Sequence, residues 1–156
     1  MFNVHQLREL IIKPALENLV MLSDDAVELL VFTCAVESMG GTFLKQITGT
    51  ALGIYQMEPD TYNDLWFNYI QKKPSIMLKL VTNFEVSRVP DEYRLIYDLR
   101  YATAMARIHY ARVPARLPLS NNPQHIWDYY KSYYNTSQGA SSAEESIQKY
   151  HSFLNS

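Results

Sequence analysis

A carboxylate at the end of an apolar helix is a candidate general acid, and Glu37 occupies such a place. From Ala26 to Val36 the chain is apolar on nearly every face (Val27, Leu29, Leu30, Val31, Phe32, Cys34, Ala35), which predicts a helix buried all round. Glu37 follows in its last turn. The helix C-terminus is partly negative and repels a carboxylate, and apolar surroundings disfavour the charged form. Both effects favour a carboxyl that stays protonated near neutral pH, as a general acid must. The plainer reading is a solvent-facing Glu at a frayed helix end. The next segment, residues 40–57 (GGTFLKQITGTALGIYQM), tips the balance toward chemistry. It holds four of the five glycines, and glycines allow tight turns and close approach of backbone to a ligand.

A second carboxylate would widen the chemistry, because inverting glycosidases hold two carboxyls roughly 6.5–9.5 Å apart with a water between them. Glu58, Asp60 and Asp64 are within reach along the chain, but they fall at the start of a helix, where acids favour the dipole. Cys34 lies inside the apolar helix and reads as small core filler. His5, His109, His125 and His151 are widely spaced with no metal-ligand pattern, so no metal is expected; His109 on the long helix could face a cleft, though a solvated or hydrogen-bonded helix histidine is the commoner reading. Nucleophile-elbow, Walker and dinucleotide glycine motifs are missing, so no cofactor is expected. Arg100, Arg107, Arg112 and Arg116 give a basic character that reads as a solvated face, with contact to carboxylates of a partner as the other use. Trp127, Tyr129, Tyr130, Tyr133 and Tyr134 exceed one helix stripe and suggest a glycan or partner surface, or packing against the last helix.

These residues need a helical frame. Leu7, Leu10, Ile11, Leu16, Leu19 and Val20 follow helical spacing, with a kink or a split expected at Pro14. Ser23 is a good N-cap for the buried helix, and Gly40 and Gly41 are expected to cap its far end. Residues 47–57 read as loop and a small β element. Pro59 opens a helix carrying Tyr62, Leu65, Trp66, Tyr69 and Ile70, and a short one is expected over 75–84. A long helix is expected after Pro90, with Tyr97, Tyr101, Ala104, Met105, Ile108 and Ala111 inward. Asn122 and Ser142 start two more, the second with capping-box spacing to Glu145, and the tract Asn135–Ser142 reads as a flexible connector. The fold class is mainly α, in one domain spanning 1–156.

Glu37-Ser38 closing a buried helix, followed by Gly53-Ile54-Tyr55-Gln56-Met57, resembles the lysozyme-like superfamily, in particular soluble lytic transglycosylases and goose-type lysozymes. The 19 positions between Glu37 and Gln56 suit that arrangement. The longer string AVESMGG…ALGIYQMEPDTYNDLW, with the later aromatic segment Trp127–Thr136, is similar to small lysozyme-like proteins of tailed bacteriophages. The resemblance implies a lysozyme-like fold with a very small β element. It implies peptidoglycan glycan strands as substrate, Glu37 as the catalytic acid that later serves as base, and Ser38 orienting groups beside it. Gly53, Ile54, Tyr55, Gln56 and Met57 match the strand lining the sugar cleft, with Gln56 the leading hydrogen-bonder. In transglycosylases the base step takes the proton of the sugar's own 6-hydroxyl and closes an anhydro ring. The sequence departs from the pattern by lacking an Ala-Tyr-Asn-Ala-Gly-like segment, whose tyrosine approaches the acid. Residues 107–118 are expected in its place, with Tyr110 or Tyr101 as the substitute tyrosine.

Composition agrees with a globular chain. Its 156 residues are 47% hydrophobic and 19% charged with a net charge of -2, which disfavours disorder and a nucleic-acid partner. One cysteine excludes an intrachain disulfide. The N-terminus lacks the pattern of a signal peptide, and no window supplies the roughly 20 apolar residues of a membrane span. Synthesis in a host cytoplasm is expected, with action at the cell wall after delivery by another product, for lysis or as a virion component beside other virion proteins. The other expectation is a virion structural or binding module that keeps the fold and cleaves little.

Overall fold

The structure, a computed structural model, describes residues 1–136 and 142–156. It is mainly helical. The first turns, α1 (Val4–Gln6), run into a π-helical segment (Leu7–Ile12) and then α2 (Lys13–Leu19). Pro14 explains the π segment: it has no N–H to give and its ring crowds the turn before it, so the helix widens there, with Lys13 N–H bonding back to the Arg8 carbonyl. The expected kink is therefore a local widening.

Next comes α3 (Asp24–Ser38), the central rod. Ser23 Oγ accepts from the Ala26 N–H at 3.1 Å, and Asp24 and Asp25 follow in the first turn. The rod packs against the π segment and three later helices, α7 (Leu99–Ala111), α8 (Pro123–Tyr133) and α9 (Ala143–Leu154). That explains why its apolar residues cover every face. Each fully buried Leu or Phe contributes about 1.5–3 kcal/mol. Its left-handed end residue is Met39 (φ 52°), with Gly40 and Gly41 continuing the left-handed path after it; the glycines follow the cap instead of forming it.

Between α3 and α4 (Pro59–Asn68) runs an irregular loop. The expected β element reduces to two isolated bridges, Lys45 to Leu52 and Leu52 to Met57, with Leu52 and Met57 exchanging backbone hydrogen bonds at 2.9 and 3.0 Å. A 3-10 turn (Ile70–Lys72) and α5 (Pro74–Asn83) follow.

The long helix expected after Pro90 is broken at Asp98. It becomes α6 (Arg94–Tyr97) and α7, because the Asp98 side chain accepts from the Tyr101 N–H at 3.0 Å and caps a new start. Tyr97, expected inward, is exposed as a result. Asn122 and Ser142 cap α8 and α9 as expected, accepting from His125 and Glu145 N–H groups. Of the connector expected at Asn135–Ser142, residues 137–141 lie outside the described residues; Asn135 itself is bonded into the site below. Among the described residues no helix is long and apolar enough to cross a membrane.

Candidate active site

Glu37 sits half-buried at the C-terminal end of α3, on the floor of a cleft of about 580 Å³. The cleft walls come from the 43–61 segment (Phe43, Gln46, Ile47, Gln56, Met57, Glu58, Thr61), from His109 on α7, and from Tyr134, Asn135 and Thr136 after α8. The buried rod thus delivers its one terminal carboxyl to solvent-accessible space.

Two donors converge on one carboxyl oxygen. Tyr130 Oη donates to Glu37 Oε1 at 2.6 Å, and Asn135 Nδ2 donates to the same atom at 3.3 Å and to Tyr130 Oη at 3.1 Å. No hydrogen bond to Oε2 is found among the described residues. When the acid is protonated, the proton therefore belongs on Oε2, since Oε1 is engaged as acceptor.

Burial holds the Glu37 carboxyl above its ordinary value. The hydrogen bonds from Tyr130 and Asn135, and the charge of Lys149, pull the other way; the negative charge of Glu58 adds to the rise. The folded chain holds this proton more tightly than the unfolded chain. Glu37 accordingly favours folding at acid pH, and that contribution is lost as pH rises from the unfolded carboxyl value through the folded one. Tyr130→Phe removes the larger of the two hydrogen bonds that favour the anion. We expect it to raise the Glu37 value further, as checked by a carboxyl NMR titration.

The loop that faces Glu37 is pinned from beneath. Ser38 is fully buried: its Oγ donates to the Ile54 carbonyl at 2.7 Å and accepts from the Gly41 N–H at 2.9 Å. Expected beside the sugar, Ser38 instead ties α3 to the loop. Ile54 and Tyr55 are also buried and do not line the cleft. Tyr55 Oη reaches Thr103 Oγ1 at 2.9 Å, and Thr103 donates onward to the Leu99 carbonyl. Gly53 is buried with φ 78°, lying against the α6 backbone. Gln56 and Met57 are the expected residues that do line the cleft. Gln56 Nε2 donates to the Gly53 carbonyl at 2.9 Å, which leaves its Oε1 available as an acceptor.

Neither Tyr101 nor Tyr110 reaches the acid; both are fully buried. Trp66 Nε1 donates to Tyr101 Oη, which bonds Tyr62 Oη, which donates to the carbonyl of half-buried Pro90, a polar chain running outward from the core. Tyr110 Oη pairs with Thr33 Oγ1 at 2.8 Å. The tyrosine that approaches Glu37 is Tyr130, with the Tyr134-Asn135 pair beside it. Tyr134 Oη donates to the Tyr55 carbonyl at 2.7 Å and its ring stacks on Tyr110 and Tyr130 at 5.1 and 6.1 Å. The aromatic segment 127–136 therefore serves the cleft, and residues 107–118 contribute His109 nearby in place of a tyrosine.

The helix-start acids divide three ways. Glu58 is the N-cap residue of α4 but its side chain does not cap; Thr50 Oγ1 donates to its Oε2 at 2.5 Å, and it lines the cleft. Asp64 pairs with Arg112 at 2.6 Å. Asp60 remains in the first turn of α4. Cys34 is buried and its thiol is pushed up to about 12, so it is inert core. Among the described residues no three His, Cys, Asp or Glu side chains come together as a metal cluster.

Compared with known protein families, with characterised proteins and with solved structures, the chain finds no significant match.

Proposed function

We propose that this chain is a peptidoglycan-cleaving enzyme of lysozyme-like fold, working as a lytic transglycosylase with Glu37 as acid and then base. The observation that carries the reading is a carboxyl held above its ordinary value on the floor of an open cleft, with both protein donors on Oε1. Oε2, which no described residue bonds, is then positioned to pass its proton to the glycosidic oxygen of a strand lying in the cleft. Bond cleavage leaves positive charge on the sugar ring, and the Glu37 carboxylate formed in that step stabilises it. Tyr130 and Asn135 stabilise the same carboxylate. In the second step the carboxylate takes the proton of the 6-hydroxyl as that oxygen closes the anhydro ring.

Glu58 favours a second reading, hydrolysis. Its side chain is held by Thr50 in the same cleft, where it could orient a water. On the transglycosylase reading, Glu58→Gln retains the anhydro product and lowers the Glu37 value, because the charge that raised it is gone. A reducing-end product from the wild type selects hydrolysis. Purified sacculi incubated with the wild type and analysed by mass spectrometry separate the two. We infer from the resemblance to phage proteins that the activity serves lysis or local wall opening by a virion. If sacculi bind the protein and stay intact, the virion binding module is the better account.

A further inference from the structure

His109 enters the cleft from α7, on the wall formed with Tyr134, and a chain of three residues fixes its state. Arg112 Nη2 lies 3.0 Å from His109 Nδ1. A guanidinium can only donate, so Nδ1 must be the bare, accepting nitrogen. Arg112 is anchored in turn by Asp64, with Nη1 to Oδ2 at 2.6 Å, and Asn68 Nδ2 donates to the other oxygen of that carboxylate at 2.6 Å. The imidazole meets the Tyr134 ring edge-on with centroids 5.0 Å apart, which limits its rotation.

We propose that His109 is a glycan-positioning residue: a neutral imidazole locked as the Nε2–H tautomer by Asp64–Arg112, giving one uncharged hydrogen bond to an oxygen of an N-acetylated sugar in the cleft. This rests on the glycan-cleaving reading above. Burial supports it independently, holding His109 down at about 4, with the Arg112 charge adding to that effect. The positive charge of Arg112 is engaged by Asp64. This wall therefore offers a donor without a free charge, which suits the uncharged hydroxyl and amide oxygens of a sugar chain better than an anion.

The test is a two-bond proton–nitrogen NMR spectrum of 15N-labelled protein at pH 7, with and without N,N′,N″-triacetylchitotriose. We expect a bare Nδ1 and a protonated Nε2 in the free protein, with the Nε2 signal shifting on addition of the sugar. His109→Gln keeps a donor near the Nε2 position and should bind within about threefold of wild type, whereas His109→Met should bind about tenfold more weakly, as loss of one hydrogen bond predicts. Arg112→Ala should loosen the tautomer and weaken binding. A charged ring or an Nδ1–H tautomer, or a His109→Met variant that binds as wild type does, overturns the proposal and leaves cleavage by Glu37 standing. A wild type that neither binds the trisaccharide nor cleaves sacculi overturns the underlying reading and this inference with it.

Discussion

Glu37→Gln should leave a folded protein whose glycan-cleaving rate falls about 10²–10⁴-fold, the usual worth of a positioned general acid. The amide keeps the volume of the carboxyl and can still accept from Tyr130 and Asn135 through its oxygen. It has no proton of suitable acidity to give. The stability change should have the opposite sign to the activity change at neutral pH and above. Burial disfavours the Glu37 anion, and a neutral amide is not subject to that penalty. We therefore expect the variant to melt no lower than wild type at pH 8, and to lose any such advantage in acid, where the wild-type carboxyl is protonated. Thermal unfolding at the two pH values, beside sacculus clearance, checks both halves. A large loss of stability would mean that the carboxylate is a structural partner.

Gly53→Ala should be the most damaging small substitution in the cleft loop. Gly53 has φ 78°, and a Cβ placed there would lie 2.3 Å from the carbonyl oxygen of Leu95 on α6. That oxygen is backbone and cannot swing away as a side chain would. The left-handed conformation adds strain of its own for alanine. Together these should cost roughly 2–5 kcal/mol, read as a lower denaturant midpoint. Activity should fall beyond the loss of folded protein, because the displaced turn carries Gln56, bonded to the Gly53 carbonyl, and Met57, both of which line the cleft. A substitution with little effect on either quantity would show that the turn is not pressed against α6.

Much of the frame was legible in the chain because its signals are local. Ser23, Asn122 and Ser142 each stand where a helix N-cap should, and the all-round apolar pattern of 26–36 identified the buried rod. Glu37 was legible for the same reason: an acid at the end of such a rod is unusual in itself. Other features depended on contacts between distant residues. Tyr130 lies 93 positions from Glu37, and periodicity tells which face a tyrosine occupies but not what it meets. Tyr101 and Tyr110 were equally good candidates on that basis, yet buried partners hold both. Ser38 sits next to the acid in sequence, but one helix step turns it about 100° away and inward, where it meets Ile54. The break in the helix at Asp98 had a signal, an N-cap residue inside an apolar stripe, that the continuous period concealed. The Asp64–Arg112–His109 chain links α4 to α7, and no pattern within either helix announces it.

We infer that Glu37 protonates and so breaks a glycosidic bond of peptidoglycan. Mass spectrometry of the fragments released from purified sacculi by wild type and by Glu37→Gln tests it most directly. Anhydro-ended disaccharide fragments are expected from the wild type and almost none from the variant at equal protein concentration. Equal release by both proteins, or intact sacculi with the folded wild type, would contradict it.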